Sequence, residues 1–162
     1  FRWAIERDYD YIIEMDADFS HPVEKLIELR QACINGADFA VGSRYCKNGK
    51  VQDWPFGRWL MSYFASVYVR IILWLKIKDT TAGFVCWKRE VLEKMNLSNI
   101  KFIGYAFQIE MKYTAKRLGF KGIEVPITFK DRTAGTSKMS MNIFTEALFG
   151  VIKMKSKKRS EL

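Results

Sequence analysis

An apolar run of strand length, Tyr9 to Met15 (YDYIIEM), leads into Asp16-Ala17-Asp18 and then into a helical pattern and a second strand. That alternation limits the fold more than any other feature. Pro22 stands where a first helical position would be, with Ser20 or His21 as its cap, and VEKLIELRQACI carries apolar residues at helical spacing until Asn35-Gly36 ends it. Ala37 to Val41 (ADFAV) reads as the second strand. Strand, helix and strand in that order predict an α/β sheet whose strands run parallel. Ligands of such sheets gather at the carboxyl ends of the strands.

The rest of the chain continues the pattern. Gly42 to Gly57 reads as a loop, and Trp59 to Leu75 as an apolar helix of 17 residues, interrupted by Arg70 and at the lower limit for a bilayer span. Arg58, Ser62, Ser66 and Arg70 recur every fourth residue and form one narrow polar stripe on it, which suits a core or a membrane interface better than a span. A short strand over Gly83 to Trp87, helices over Arg89 to Met95 and Ala106 to Leu118, and a strand over Lys121 to Phe129 follow, with Pro126 placing that last strand at an edge or bulge. Lys130 to Lys138 is a polar loop, and Met141 to Met154 an amphipathic helix running into a basic tail.

Composition narrows the class. Apolar residues at 49% and charged residues at 28% exclude a disordered or low-complexity chain, and 162 residues suit one domain. Cys33, Cys46 and Cys86 are too few and too scattered for a disulfide framework, which favours a reducing compartment. The net charge of +9 is polarised: the first 30 residues carry 4 basic and 8 acidic side chains, residues 111–162 carry 12 and 4. A basic C-terminal half suits a polyanion, whether nucleic acid, an anionic bilayer or a phosphorylated substrate.

Four clusters could carry chemistry. Asp16 and Asp18 are two apart on an extended chain, so both carboxylates can face one hard cation; alternatively one caps the next helix and the other is solvated. Gly42-Ser43-Arg44 ends the second strand, while Arg58 opens the long helix with Ser62 one turn on, an arrangement suited to a phosphate at a helix N-terminus. Lys130, Arg132, Gly135, Thr136, Ser137 and Lys138 form either an anion clamp or an ordinary solvated turn. Small residues in Asp79-Thr80-Thr81-Ala82-Gly83-Phe84 would let a ligand approach the backbone. His21 reads as a structural residue, and Gln108 and Glu110 as a solvated face or a salt bridge.

Taken together, MDADFSHP at 15–22, GSRY at 42–45, the segment from Arg58 to Ser62, DTTAGF at 79–84, GYAFQIEM at 104–111 and EVPITFKDRTAGTSK at 124–138 resemble the dolichol-phosphate (polyprenol-phosphate) mannosyltransferases, inverting family-2 glycosyltransferases of GT-A fold. The resemblance runs from about the first residue to Lys138. It implies an α/β fold: residues 1–140 would be the C-terminal portion of a Rossmann-like GT-A catalytic domain, and residues 141–162 an amphipathic helix with a basic tail. In the family the nucleotide-binding strands precede the DxD, so the chain is expected to be N-terminally truncated and inactive alone. Asp16 and Asp18 match the family's metal-binding DxD, which holds Mg or Mn against the donor diphosphate. Arg44, Arg58 and Ser62 match residues that hold the acceptor's lipid phosphate; Arg132 and Lys138 match a loop that closes over both phosphates.

The implied partners are a nucleotide-sugar donor, most simply GDP-mannose, a polyprenol or dolichol phosphate acceptor and a membrane surface, with no nucleic acid. The implied location is the cytoplasmic face of a membrane. A general base is not needed, because a phosphate monoester with a second pKa of about 6 is roughly nine-tenths dianionic at neutral pH. Lys153, Lys155, Lys157, Lys158 and Arg159 would add about 1 kcal/mol each of attraction to anionic lipid. A glucosyl or N-acetylhexosaminyl transfer from a UDP-sugar, or a non-catalytic basic module, are the competing readings.

Overall fold

A computed structural model describes residues 1–131 and 150–156. After a short helix α1 (Arg2–Ile5), the elements are β1 (Tyr11–Glu14), α2 (Lys25–Ile34), β2 (Phe39–Ser43), β3 (Lys50–Gln52), α3 (Phe56–Leu73), β4 (Val85–Lys88), α4 (Arg89–Lys94), α5 (Gly104–Arg117), β5 (Gly122–Pro126) and β6 (Thr128–Lys130). Four strands form one sheet in the order β1-β4-β2-β5, and β3 pairs in parallel with β6 as a separate two-stranded ribbon.

The α/β expectation holds, but the sheet is mixed. β4 lies between β1 and β2 and runs antiparallel to both, with Ile13 opposite Cys86 and Ala40 opposite Cys86 from the other side. β1 and β2 are therefore parallel to each other and joined through α2, as the strand-helix-strand pattern predicts, with a third strand inserted between them. Within the four-stranded sheet of the described residues, β2 and β5 make the one parallel ladder, Phe39 facing Gly122. Gly122 is required there, because a Cβ would stand 2.2 Å from the Phe39 ring.

Period-2 alternation divides the core. Phe39, Val41, Val85 and Trp87 face α4 and α5 through Val91, Leu92, Met95, Met111 and Ala115; Ala40, Phe84 and Cys86 face α2 through Leu29 and Cys33. Phe39 and Trp87 stack at 4.8 Å between ring centres, at the middle of the first layer. A third cluster joins Val69 and Leu73 of α3 to Ala106, Ile109 and Tyr113 of α5, and to Val151 and Met154 in the helical residues 150–156.

Several boundaries differ from the sequence reading for local reasons. Pro22 opens a turn, with the Lys25 N–H donating to its carbonyl, and α2 begins three residues later. Neither proposed cap serves the helix: the Ser20 hydroxyl donates to Asp18, and His21 accepts from the Asp16 N–H. The loop after Gly42 contains β3, too short for a periodic signal. The strand expected over Lys121 to Phe129 is two strands, since after Pro126 on the edge strand β5 the Ile127 N–H donates to the Ser43 carbonyl and the chain crosses to β3. Glu110, read with Gln108 as a solvated face or a salt bridge, is buried, and so is Lys112 two residues on. Among the described residues no helix is long and apolar enough to cross a membrane.

Candidate functional site

The carboxyl ends of β1 and β2 place Asp16 and Arg44 at one end of the sheet. His21, almost fully buried, accepts a 3.2 Å hydrogen bond at Nδ1 from the Asp16 N–H and packs its ring against Phe84 and Phe129, at 5.0 and 5.2 Å between centres. Burial pushes its pKa down, so the neutral ring that can accept this bond is the favoured form. Asp18 Oδ1 accepts from both the N–H and the hydroxyl of Ser20, and Phe19 between them takes a left-handed conformation with φ of 60°. The turn is tied to the ribbon where the Lys130 N–H donates to the Ser20 carbonyl. His21 thus orients the backbone of the first aspartate, a role its lone occurrence in the sequence did not disclose.

Arg44 is held by a residue without an assigned role in the sequence reading. Its Nε and Nη2 donate to the two Asp79 carboxylate oxygens at 2.7 Å each, its backbone N–H donates to the same carboxylate at 2.9 Å, and Nη2 also reaches Thr81 Oγ1 at 3.0 Å. Both side chains are sealed, 8% and 0% exposed. Burial alone would favour their neutral forms, but each partner's charge and hydrogen bonds prevail: Asp79 sits below the usual carboxylate range and Arg44 above its ordinary value.

Arg58 belongs to a second, more open pair. Its Nη1 lies 3.0 Å from both oxygens of Asp131, with the side chains 21% and 31% exposed, and its guanidinium stacks over Trp54 at 4.1 Å from the ring centre. Trp54 also meets Phe129 edge-on at 5.5 Å, and the Arg44 guanidinium lies over both rings at 5.5 and 5.4 Å. An aromatic floor of Trp54 and Phe129 therefore connects the two arginines with each other and, through His21, with the aspartates.

The polar stripe of α3 points into this site. Arg58 reaches Asp131, Ser62 accepts from the Tyr45 hydroxyl at 2.7 Å, and Ser66 accepts from Thr80 at 3.4 Å. The first three positions of the stripe thus each meet a different segment, whereas the buried Arg70 Nε has no hydrogen-bond partner. The opposite face is apolar and exposed, with Phe64, Ile71 and Trp74 at 58%, 65% and 77%.

Behind the aspartates lies a buried polar layer. Lys112 donates to the Ala82 carbonyl at 2.7 Å and to the Gln108 carbonyl at 3.2 Å, and burial lowers its pKa to about 8. Burial raises Glu14, which Gln108 bonds. A Cβ on Gly83 would stand 3.5 Å from Gln108 Nε2 and 3.8 Å from Asp16 Oδ1, so the glycine leaves open the space beside that carboxylate.

Asp16, Asp18, Arg44, Arg58 and Ser62 thus converge on one region, whereas Arg132 and Lys138 lie outside the described residues. Among the described residues no three His, Cys, Asp or Glu side chains group as a metal cage. Two carboxylates at a strand end, with open space beside one, still fit a hard divalent cation that takes its remaining oxygens from phosphate and water.

No protein-family model matches the chain. Curated proteins do: it is 46% identical over 151 residues to the polyprenol monophosphomannose synthase of Mycolicibacterium smegmatis and 44% identical over 151 residues to the undecaprenyl-phosphate mannosyltransferase of Micrococcus luteus, each match covering 93% of the chain. It is 41% identical over 145 residues, 88% of its length, to the dolichol-phosphate mannosyltransferase of Pyrococcus furiosus. The chain spans 57%, 62% and 40% of those three proteins. By sequence it is a glycosyltransferase homologue, and its mixed α/β sheet is consistent with that class. Within that class the three relatives are named as polyprenol-, undecaprenyl- or dolichol-phosphate mannose transferases.

Proposed function

We propose that this chain is the acceptor-side portion of a GT-A catalytic domain that transfers mannose from GDP-mannose to a polyprenol monophosphate. The observation that carries the reading is the aromatic floor of Trp54 and Phe129, which brings the Asp16–Asp18 turn and the arginines Arg44 and Arg58 to one place. Two anionic substrates must meet there, and cationic side chains fixed in advance lower the cost of that meeting.

Arg58 and Ser62 on α3 hold the acceptor phosphate; Arg44, locked on Asp79 as a neutral ion pair, presents a fixed hydrogen-bond donor face beside it. A phosphate oxygen attacks the anomeric carbon, the new C–O bond forms as the bond to the diphosphate breaks, and the nucleoside diphosphate departs. No proton moves, so no base is needed. Asp16 and Asp18 are suited to hold Mg2+ or Mn2+, which would supply charge stabilisation to the departing diphosphate. Arg132 and Lys138, outside the described residues, are the further candidates for anion binding. The exposed apolar face of α3 rests on the bilayer at its cytoplasmic side, where the acceptor's lipid lies, and the basic tail adds attraction to anionic headgroups.

The test is transfer of labelled mannose from GDP-mannose to a short-chain polyprenyl phosphate by the protein bearing this chain, with and without Mg2+ or Mn2+. Metal-dependent labelling of the lipid is expected. Labelling from UDP-glucose or UDP-N-acetylglucosamine in place of GDP-mannose would overturn the donor assignment, and no transfer from any of them would overturn the reaction.

A further inference from the structure

The two arginines of the site are both paired with carboxylates, but the pairs differ in kind. Arg44 and Asp79 use two guanidinium nitrogens, a backbone N–H and almost complete burial. Separating them would strand a buried charge on each side. Arg58 shares a single nitrogen, Nη1, between the two oxygens of Asp131 at 3.0 Å each, and its buried Nε has no hydrogen-bond partner. The pair is partly open to solvent, at 21% and 31% exposure. The Trp54 ring, 4.1 Å from the guanidinium, favours this position of Arg58 independently of the carboxylate.

We propose that Asp131 is an internal competitor for the acceptor phosphate: its carboxylate holds Arg58 in the resting site, yields it to a phosphate monoester and reclaims it from the phosphodiester product. The proposal rests on the reading of Arg58 as the acceptor-phosphate cation. Its physical basis is charge. A monoester carries about −1.5 to −2 at neutral pH and outbids a carboxylate for one guanidinium. The diester formed by glycosyl transfer has lost one of those charges. It meets Asp131 as an equal in charge, while the aspartate has the advantage of being tethered beside Arg58 at high effective concentration. The same residue thereby selects dianionic acceptors and assists release of a monoanionic product. Asp131 touches neither reacting atom, so it is a specificity residue and not a catalytic one.

A static brace between the end of β6 and the start of α3 would show the same ion pair, and binding separates the two. The dissociation constants of a short-chain prenyl monophosphate and of its methyl diester are measured by calorimetry for the wild-type chain, Asp131→Asn, Asp131→Ser and Arg58→Ala. The wild type should prefer the monoester at least tenfold. Both Asp131 variants should bind both probes more tightly, the diester most, and shrink that preference at least threefold; the serine variant keeps the test in force should the asparagine variant not fold. Unchanged or weaker binding of both probes in the Asp131 variants would leave a brace and overturn the competition. If Arg58→Ala instead binds the monoester as tightly as the wild type, the acceptor reading of Arg58 falls, and the competition with it. Because the readout is binding, it stands whichever sugar donor the protein uses.

Discussion

Asp79 receives three hydrogen bonds from Arg44, two from the guanidinium and one from the backbone N–H, inside a fully buried contact between the end of β2 and the loop before β4. An ion pair so deep is a poor source of net stability but costly to break, because the remaining charge has no water to return to. Asp79→Asn should therefore lose about 3–5 kcal/mol of unfolding free energy. Urea titration checks it, and a loss below about 1 kcal/mol would mean that solvent reaches the site. The pH dependence follows from the lowered Asp79 pKa. The unfolded chain takes up the proton first, so the pair's contribution is complete above the ordinary value of 3.8 and is lost as pH falls through the lower folded value. The wild type should lose stability more steeply than Asp79→Asn below that point.

The exposed face of α3 calls for a different measurement. Phe64 and Ile71 touch little of the protein and together present a continuous apolar surface with Leu60 and Trp74. The double variant Phe64→Ser, Ile71→Ser should change stability by no more than about 0.5 kcal/mol per site. Each side chain seated in an interface is worth about 1.5–3 kcal/mol, so sedimentation with anionic vesicles should weaken at least tenfold. Equal vesicle binding by wild type and variant would remove α3 as the docking face.

These two features show how differently the site could be read from sequence. The DxD turn was legible because it lies at the end of a periodic strand, and the stripe of Arg58, Ser62 and Ser66 because helical spacing puts the three on one line. The protein partners the stripe meets were not legible. An apolar helix with one polar line ordinarily turns the line to water, whereas here Tyr45, Thr80 and Asp131 wait on the protein side. The partner of Arg44 lies 35 residues away, a separation that no local pattern encodes. The burial of Glu110 was hidden for a similar reason: its carboxylate accepts from the N–H groups of Lys101 and Phe102, before the start of its own helix, so the residue is buried despite its charge. β4 was recognisable as a strand, but its place between β1 and β2 depends on long-range packing of Val85 and Trp87 against α4 and α5.

Gly83 offers a test of the space beside Asp16. An added methyl would make only ordinary contacts, 3.5 Å to Gln108 and 3.8 Å to Asp16, with no positive φ to strain it. Gly83→Ala should fold with a midpoint near the wild type. If the opening receives the donor's diphosphate and its metal, transfer should drop at least tenfold, and the apparent affinity for Mn2+ should weaken alongside. Asp16→Asn should abolish transfer while leaving the fold intact, and wild-type turnover from it would remove the metal assignment. Full activity in Gly83→Ala would show that the donor lies elsewhere.

Lys112 carries the last prediction, because its charge is sealed behind the same loop with the Ala82 carbonyl as one of two acceptors. Burial lowers its pKa from 10.5 to about 8, so between those values the unfolded chain holds a proton that the folded chain has released. Stability from this group therefore rises with pH across that window, by at most about 3 kcal/mol at 1.36 kcal/mol per unit. Lys112→Met removes that dependence. It also leaves the Ala82 carbonyl without its donor, at a cost of about 1–3 kcal/mol, offset at neutral pH by no longer burying an ammonium. The methionine variant should thus stand close to the wild type at pH 7 and fall progressively behind it toward pH 10.5. Denaturant midpoints at four pH values measure the gap, and a constant difference across the window would show that Lys112 is neutral throughout or reached by water.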